Sequence, residues 1–281
     1  MRVLIWTCGV LLVLIGTVLG GSTGTDPAKK YAWGENVGWA NAGPTNHEVT
    51  VHYDEGAGGW LSGCAWGENM GWIVMGSIGG GPYANTTSNN WGVNMDSAGD
   101  LSGYAWGENI GWITFASGYN TVSIDPANGA FSGHAWGENV GWLKFSGTSP
   151  DYGVRTLAFD TQTQGTPNWW LDYHGVTEDY DAGDGVPAWQ KYVMDTAPNV
   201  TNNYLRVTVV SNAPSAKVVA FTPASPRRYY TLTRRGDLTA GVWSNVAGQV
   251  AVQYGTSGQK TMQDTNVAAR MFYRVNVMVT P

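Results

Sequence analysis

Charge is scarce in this 281-residue chain. Only 13% of its residues are Asp, Glu, Lys or Arg, about half the share of an ordinary soluble domain. The balance is acidic, with a net charge of −6, and the basic residues are scattered. That excludes the concentrated positive footprint that nucleic acid demands and disfavours anionic membrane surfaces as partners. Cysteine is nearly absent. Cys8 falls inside an N-terminal apolar run, which leaves Cys64 alone in a processed chain, excludes a disulfide scaffold and makes Cys64 a buried thiol or an intermolecular link. Catalytic constellations are also missing. The four histidines, His47, His52, His134 and His174, lack metal-ligand spacing, and neither a nucleophile elbow nor a phosphate-cradling loop is written, so the chain is expected not to be an enzyme.

Long apolar runs are absent after the N-terminus. Residues 1–20 carry one basic residue, an apolar core and a Val18-Leu19-Gly20 ending, the pattern of a secretory signal peptide cut near Gly20 or Gly21. The rival reading is an uncleaved anchor, since about 18 apolar residues nearly span a bilayer. Secretion, or display at the cell surface, is the expected location. The sequons at Asn85 and Asn199 matter only in a eukaryotic secretory route.

What the chain has instead is tryptophan, glycine and repetition. AWGENVGW begins at Ala32, AWGENMGW at Ala65, AWGENIGW at Ala105 and AWGENVGW at Ala135, and these copies hold eight of the 15 tryptophans. Trp needs a large apolar surface and a partner for its indole N–H, so repeating it in register implies one stacked structural unit. The wider unit reads LSGCAWGENMGWIVM, LSGYAWGENIGWITF and FSGHAWGENVGWLKF, preceded by alternating stretches at 50–59, 91–96 and 120–125. Each unit is expected to be a three-stranded β-meander, with Gly and Asn of Gly-Glu-Asn supplying positive φ at the hairpin turn. Residues 31–160 thus form a Trp-rich β domain, propeller-like or stacked. Copy one has no alternating strand ahead of it and an orphan strand, 151–160, follows copy four. That strand could close a ring on copy one, cap a stack or pair with the next molecule.

Period-two alternation separates two faces of the unit. Leu101, Gly103, Ala105, Gly111, Ile113 and Phe115 share an apolar face; the Trp residues share the other with Cys64, Tyr104, His134, Val74, Thr114 and Lys144. In the plainer reading the indoles pack between successive units and each Glu satisfies turn N–H groups. In the binding reading Trp33, Trp39, Trp66, Trp72, Trp106, Trp112, Trp136 and Trp142 stack on sugar rings. Glu35, Glu68, Glu108 and Glu138, with Asn36, Asn69, Asn109 and Asn139, then bond to hydroxyls, and repetition supplies avidity. Four equivalent Glu residues lack the asymmetry of an acid/base pair.

These copies resemble the AW-[SG]-EN-[IV]-GW repeats of secreted bacterial surface proteins, which implies location and modularity more than activity. Residues 161–201 then read as a polar linker, an aromatic turn at 169–173, an Asp-Gly loop and a short helix over 187–194 with Pro at its start. Asp179, Asp181, Asp184 and Gly185 look like a calcium loop. Together with Trp169, Trp170, Tyr173, Gln190, Tyr192, Thr196 and Pro198, they make the segment similar to the thrombospondin type 3 and dockerin loops of bacterial surface proteins, and calcium is the one cofactor this resemblance implies. Three departures weaken it: the Ala182-Gly183 pair, Ala188 at a ligand position and Lys191 where Glu is usual. A working calcium site and a decayed spacer both remain open here.

Residues 202–281 show six or seven short alternating strands between Pro-, Gly- and Asn-rich turns, expected to form a fibronectin- or immunoglobulin-like β-sandwich. YYTLTRRGDLTAGVWSNV and MFYRVNV are similar to a C-terminal module of the same surface proteins. Arg227, Arg228, Arg234 and Arg235 read as a solvated face. The chain as a whole is expected to be mainly β, and to serve as a secreted structural or adhesive protein whose partners are copies of itself, other surface proteins or glycans. Filament formation by strand donation is one form of this, and multivalent glycan binding is the alternative.

Overall fold

The computed structural model describes residues 23–116, 121–213, 215–266 and 270–281. The expected signal segment, 1–20, and Cys8 lie outside them. The fold is mainly β, as expected, and the described residues fall into two compact units that divide between Thr177 and Glu178. Among the described residues no helix is long and apolar enough to cross a membrane.

Each AWGENxGW copy is a tight antiparallel hairpin. Thr25–Gly34 pairs with Gly38–Asn41, Cys64–Gly67 with Gly71–Val74, Leu101–Gly107 with Gly111–Thr114, and His134–Gly137 with Gly141–Lys144. The turn is closed by an N–H to C=O bond from Val37 to Gly34 (3.3 Å), and likewise from Met70 to Gly67, Ile110 to Gly107 and Val140 to Gly137. The second Gly supplies the left-handed residue, with φ between 74° and 80° at Gly38, Gly71, Gly111 and Gly141. A turn followed by a Gly in this conformation matches the twist of the flanking strands. Asn of the motif does not take positive φ, contrary to the sequence reading; Gly alone carries that burden.

The hairpins join edge to edge. Hairpin one pairs with hairpin two (Asn41↔Trp66), two with three (Val74↔Trp106), three with four (Thr114↔Trp136), and four with one (Lys144↔Trp33). The result is a closed eight-stranded barrel, so no edge is left to pair elsewhere. A second tier continues below it. Thr50–Asp54, Gly58–Ser62, Val93–Met95, the start of Leu101–Gly107, Ser123–Ile124, Phe131–Ser132, Asp151–Thr156 and the start of Thr25–Gly34 are hydrogen-bonded in that order. Val51 N–H to Thr23 O at 3.0 Å completes the circuit. The chain passes between tiers at positions such as Gly103, whose φ is 88° and where a Cβ would lie 2.2 Å from the Gly92 carbonyl oxygen; only Gly fits.

The orphan strand therefore has a place. Asp151–Thr156 pairs with the first strand (Thr25↔Thr156, Lys30↔Val154) and with Ser146–Thr148. The first strand begins at Thr25, six residues earlier than Tyr31, and its start does the work of the alternating strand that copy one seemed to lack. Of the three alternatives, ring closure on copy one is the observed one.

The barrel interior is filled by the predicted apolar face. Ala32, Ala65, Ala105 and Ala135 face Ala40, Ile73, Ile113 and Leu143 across each hairpin, all buried. Leu101, Val51, Val93, Val122 and Ile124 fill the lower tier. Met70, Ile110 and Val140 fold back from their turns and are buried too. Cys64 is buried at 4% exposure and is disulfide-bonded, which corrects the expectation of a thiol.

The segment read as linker, aromatic turn and single helix holds two helices, Asn168–His174 in the first unit and Ala188–Met194 in the second. They are copies of one another at an offset of 20 residues. Each begins after a Pro (Pro167, Pro187) and ends in a left-handed residue, Gly175 or Asp195. A bridge precedes each, Thr161↔Pro167 and Asp181↔Pro187. The backbone bonds recur in step: Asn168 to Asp160 and Ala188 to Tyr180, both 2.8 Å; Val176 to Leu171 and Thr196 to Lys191, 3.1 and 2.9 Å.

In the second unit a three-stranded sheet (Arg206–Ala213, Ala216–Ala224, Gly258–Asp264) and a four-stranded one (Tyr229–Arg235, Ser244–Asn245, Val252–Gln253, Phe272–Met278) enclose a core of Val219, Phe221, Tyr230, Leu232, Met262 and Val275. The Arg cluster is only in part a solvated face: Arg227 is exposed, and Arg234 and Arg235 are half-buried. Arg228 is fully buried and donates to the Tyr192 and Val193 carbonyls at the second helix's C-terminus, satisfying groups the helix itself leaves open. Arg227 pairs with Asp195, and Arg234 with Asp264.

Candidate functional site: an aromatic belt on a closed barrel

Strand alternation turns the motif indoles outward on the barrel wall. Within each hairpin the two Trp residues are direct cross-strand partners, Trp33↔Trp39, Trp66↔Trp72, Trp106↔Trp112 and Trp136↔Trp142. Their ring centroids lie 4.7, 5.0, 4.7 and 4.8 Å apart at interplanar angles of 60–62°. This edge-to-face arrangement suits the ring quadrupole and adds about 0.5–1.5 kcal/mol per pair beyond area burial. The pairs pack within units on the outer surface, which corrects the expectation that they pack between units.

Each pair leaves apolar area in solvent. Trp39 is 42% exposed, Trp66 38%, Trp112 45%, Trp136 36% and Trp142 38%, while Trp33, Trp72 and Trp106 are half-buried. The second Trp of every copy is flanked by a further ring. Tyr152 lies 5.1 Å from Trp39, His47 5.4 Å from Trp72, Trp91 5.0 Å from Trp112 and His134 6.2 Å from Trp142. Tyr31 and Tyr104 extend the first and third clusters. Four quasi-equivalent aromatic platforms therefore ring the barrel. Burial, and then the cation of Lys144 across the strand pair, hold the His134 imidazole below its ordinary pKa, so this platform favours the neutral ring.

The motif carboxylates and amides part company. Glu35, Glu68, Glu108 and Glu138 are exposed at the turns and form an acidic rim at the ends of the hairpins. The amides instead hold the ring together. Asn69 Nδ2 donates to Val37 O (3.1 Å), Asn109 to Met70 O (3.4 Å), Asn139 to Ile110 O (3.1 Å), and Asn36 to Val140 O (3.3 Å). Each copy thus clasps the turn of the one before it, and copy one clasps copy four. Sequence reasoning had offered these amides to a ligand; their fixed spacing in every copy was the available signal for the clasp.

The three aspartates of the calcium-like loop do not converge on a common point. Asp179 is exposed. Asp181 accepts the backbone N–H groups of Gly183, Asp184 and Gly185. Asp184 accepts from Val186 N–H, Asn202 N–H and the Lys191 ammonium. Among the described residues no group of three or more His, Cys, Asp or Glu side chains is placed to hold a metal ion.

Comparison with known proteins returns no match to a protein-family model, to a curated protein or to a solved structure.

Proposed function

We propose that this chain is a secreted adhesive protein that holds neutral polysaccharide against the aromatic belt of its barrel. The observation that carries the proposal is the exposure of indole faces at four repeated positions on one closed wall. Edge-to-face pairing stabilises the hairpins but does not require a third or fourth ring beside each pair, nor indoles left two-fifths exposed. Aromatic rings clustered on a surface are a common mark of a binding site. Flat, exposed aromatic rings with indole N–H donors suit the C–H faces and hydroxyls of sugar rings, and four weak platforms gain affinity together when one polymer spans them.

Charge supports a neutral polymer over an anionic one. The net charge is −6, and Glu35, Glu68, Glu108 and Glu138 line the rim beside the platforms, so a polyanion meets like charge. Filament growth by donation of residues 151–160 gains no support, because Asp151–Thr156 is already paired on both sides. Affinity electrophoresis through gels containing neutral or anionic polysaccharides tests the reading. Retardation is expected in at least one neutral gel, weakened by Trp39→Ala combined with Trp112→Ala; equal mobility in every gel refutes it.

A further inference from the structure

Lys191 is buried in the second unit's helix–loop element, and three oxygen acceptors converge on its ammonium. Its side chain is 0% exposed and the Asp184 side chain 3%. The ammonium donates to Asp184 Oδ2 at 2.9 Å, to Val200 O at 2.9 Å and to Pro198 O at 3.3 Å. Those three acceptors use all three of its N–H donors, and carboxylate and carbonyl oxygens are the ligand types a hard cation takes. The hydrogen bond from Lys191, ahead of the opposing effect of burial, holds the Asp184 carboxyl below the ordinary carboxylate range. In the matching position of the first copy, 20 residues earlier, stands Leu171, also buried. The two copies thus share backbone hydrogen bonds and differ, among other positions, in what fills this interior one.

A divalent ion does not fit this arrangement. Asp184 Oδ2 already accepts Lys191 Nζ and Asn202 N–H, Oδ1 accepts Val186 N–H, and both Asp181 oxygens are taken by loop N–H groups. An added ion would meet a buried positive charge at the centre of its own ligand set. We infer that the ammonium of Lys191 serves as a built-in cation for the 181–202 loop, so that the element closes with no divalent metal. Calcium in the medium would therefore leave the second unit's stability unchanged. This inference is independent of the polysaccharide reading.

Two measurements on the full chain test it. Calorimetry with millimolar calcium or with a chelator should give the same melting temperature for wild type, within about 1 °C, whereas Lys191→Glu, which exchanges the ammonium for a carboxylate, should melt about 4 °C or more higher in calcium than in chelator. In ¹⁵N-edited spectra at neutral pH, a lysine ammonium shielded from solvent should be visible in wild type and missing in Lys191→Met. A calcium-stabilised wild type, a folded Lys191→Glu indifferent to calcium, or the absence of a shielded ammonium signal each overturns the inference. The last applies even if both variants fail to fold.

Discussion

Filling one interior position should stabilise the barrel. At the inner position that follows the second Trp, three copies carry Ile73, Ile113 and Leu143, while copy one carries Ala40 opposite Ala32. An apolar cavity of about 40 Å³ lies against both alanines, bordered by Ala65, Ile113 and Leu143 among other apolar side chains. At roughly 24 cal/mol per Å³, filling that space is worth about 1 kcal/mol; counted instead as two buried methyl groups, it is worth about 1.6 kcal/mol. Ala40→Val adds two carbons on a β-branched side chain suited to a strand, so a gain of about 1–1.5 kcal/mol is expected. Urea unfolding followed by tryptophan emission reads it as a midpoint raised by roughly 0.3–1 M. Ala105→Val is the control, since Ala105 is fully buried opposite Ile113 and does not border the cavity; crowding there should cost about 1–3 kcal/mol. If the two substitutions shift the midpoint alike, the interior is not loosened at copy one and the reasoning fails.

Asn139→Ala removes one of the four clasps, the bond to Ile110 O at 3.1 Å, and should lower the first unit's stability by about 0.5–1.5 kcal/mol in the same urea assay. The first unit should also weaken in mild acid. His52 is stacked on Trp60 at 5.0 Å, with Nε2 2.8 Å from Ser62 Oγ, and burial, opposed by the charge of Asp172, holds its pKa below 6.5. His174 shifts the same way, through burial opposed by Asp54. Because the unfolded chain takes up the proton first, stability is complete above pH 6.5 and is lost as the pH falls from there through the folded values. Comparing urea midpoints near about pH 7.5 and about pH 5.5 should show this loss, and His52→Gln should make it smaller.

The repeat, its hairpins and its two faces were legible because strand alternation and Gly-bounded turns are local properties. Ala105, Ile113 and Phe115 are buried and the indoles face out, as the period-two pattern requires. Closure was not legible, since pairing of Lys144 with Trp33 joins residues more than a hundred positions apart and no local pattern states it. The strand at 151–156 looked orphaned because its partner, the start of Thr25–Gly34, lies in a polar stretch, TDPAKK, that does not alternate. The helix duplication was visible in principle, as Gly165, Pro167 and Trp169 recur as Gly185, Pro187 and Trp189. Divergent side chains hid it, above all Leu171 against Lys191. Arg228 was misread for a different reason: a basic cluster is ordinarily a solvated face, and only the fold reveals that helix carbonyls at Tyr192 and Val193 need a donor there.

The central claim, that the belt of indoles faces a polysaccharide, is tested most directly by acrylamide quenching of tryptophan emission with and without the neutral polysaccharide that retards the protein. The account predicts that the bound polymer covers Trp39, Trp66, Trp112, Trp136 and Trp142 and that the quenching constant falls, with Trp39→Ala and Trp112→Ala shrinking the fall. An unchanged quenching constant while the protein is retained would place the polymer elsewhere and contradict it.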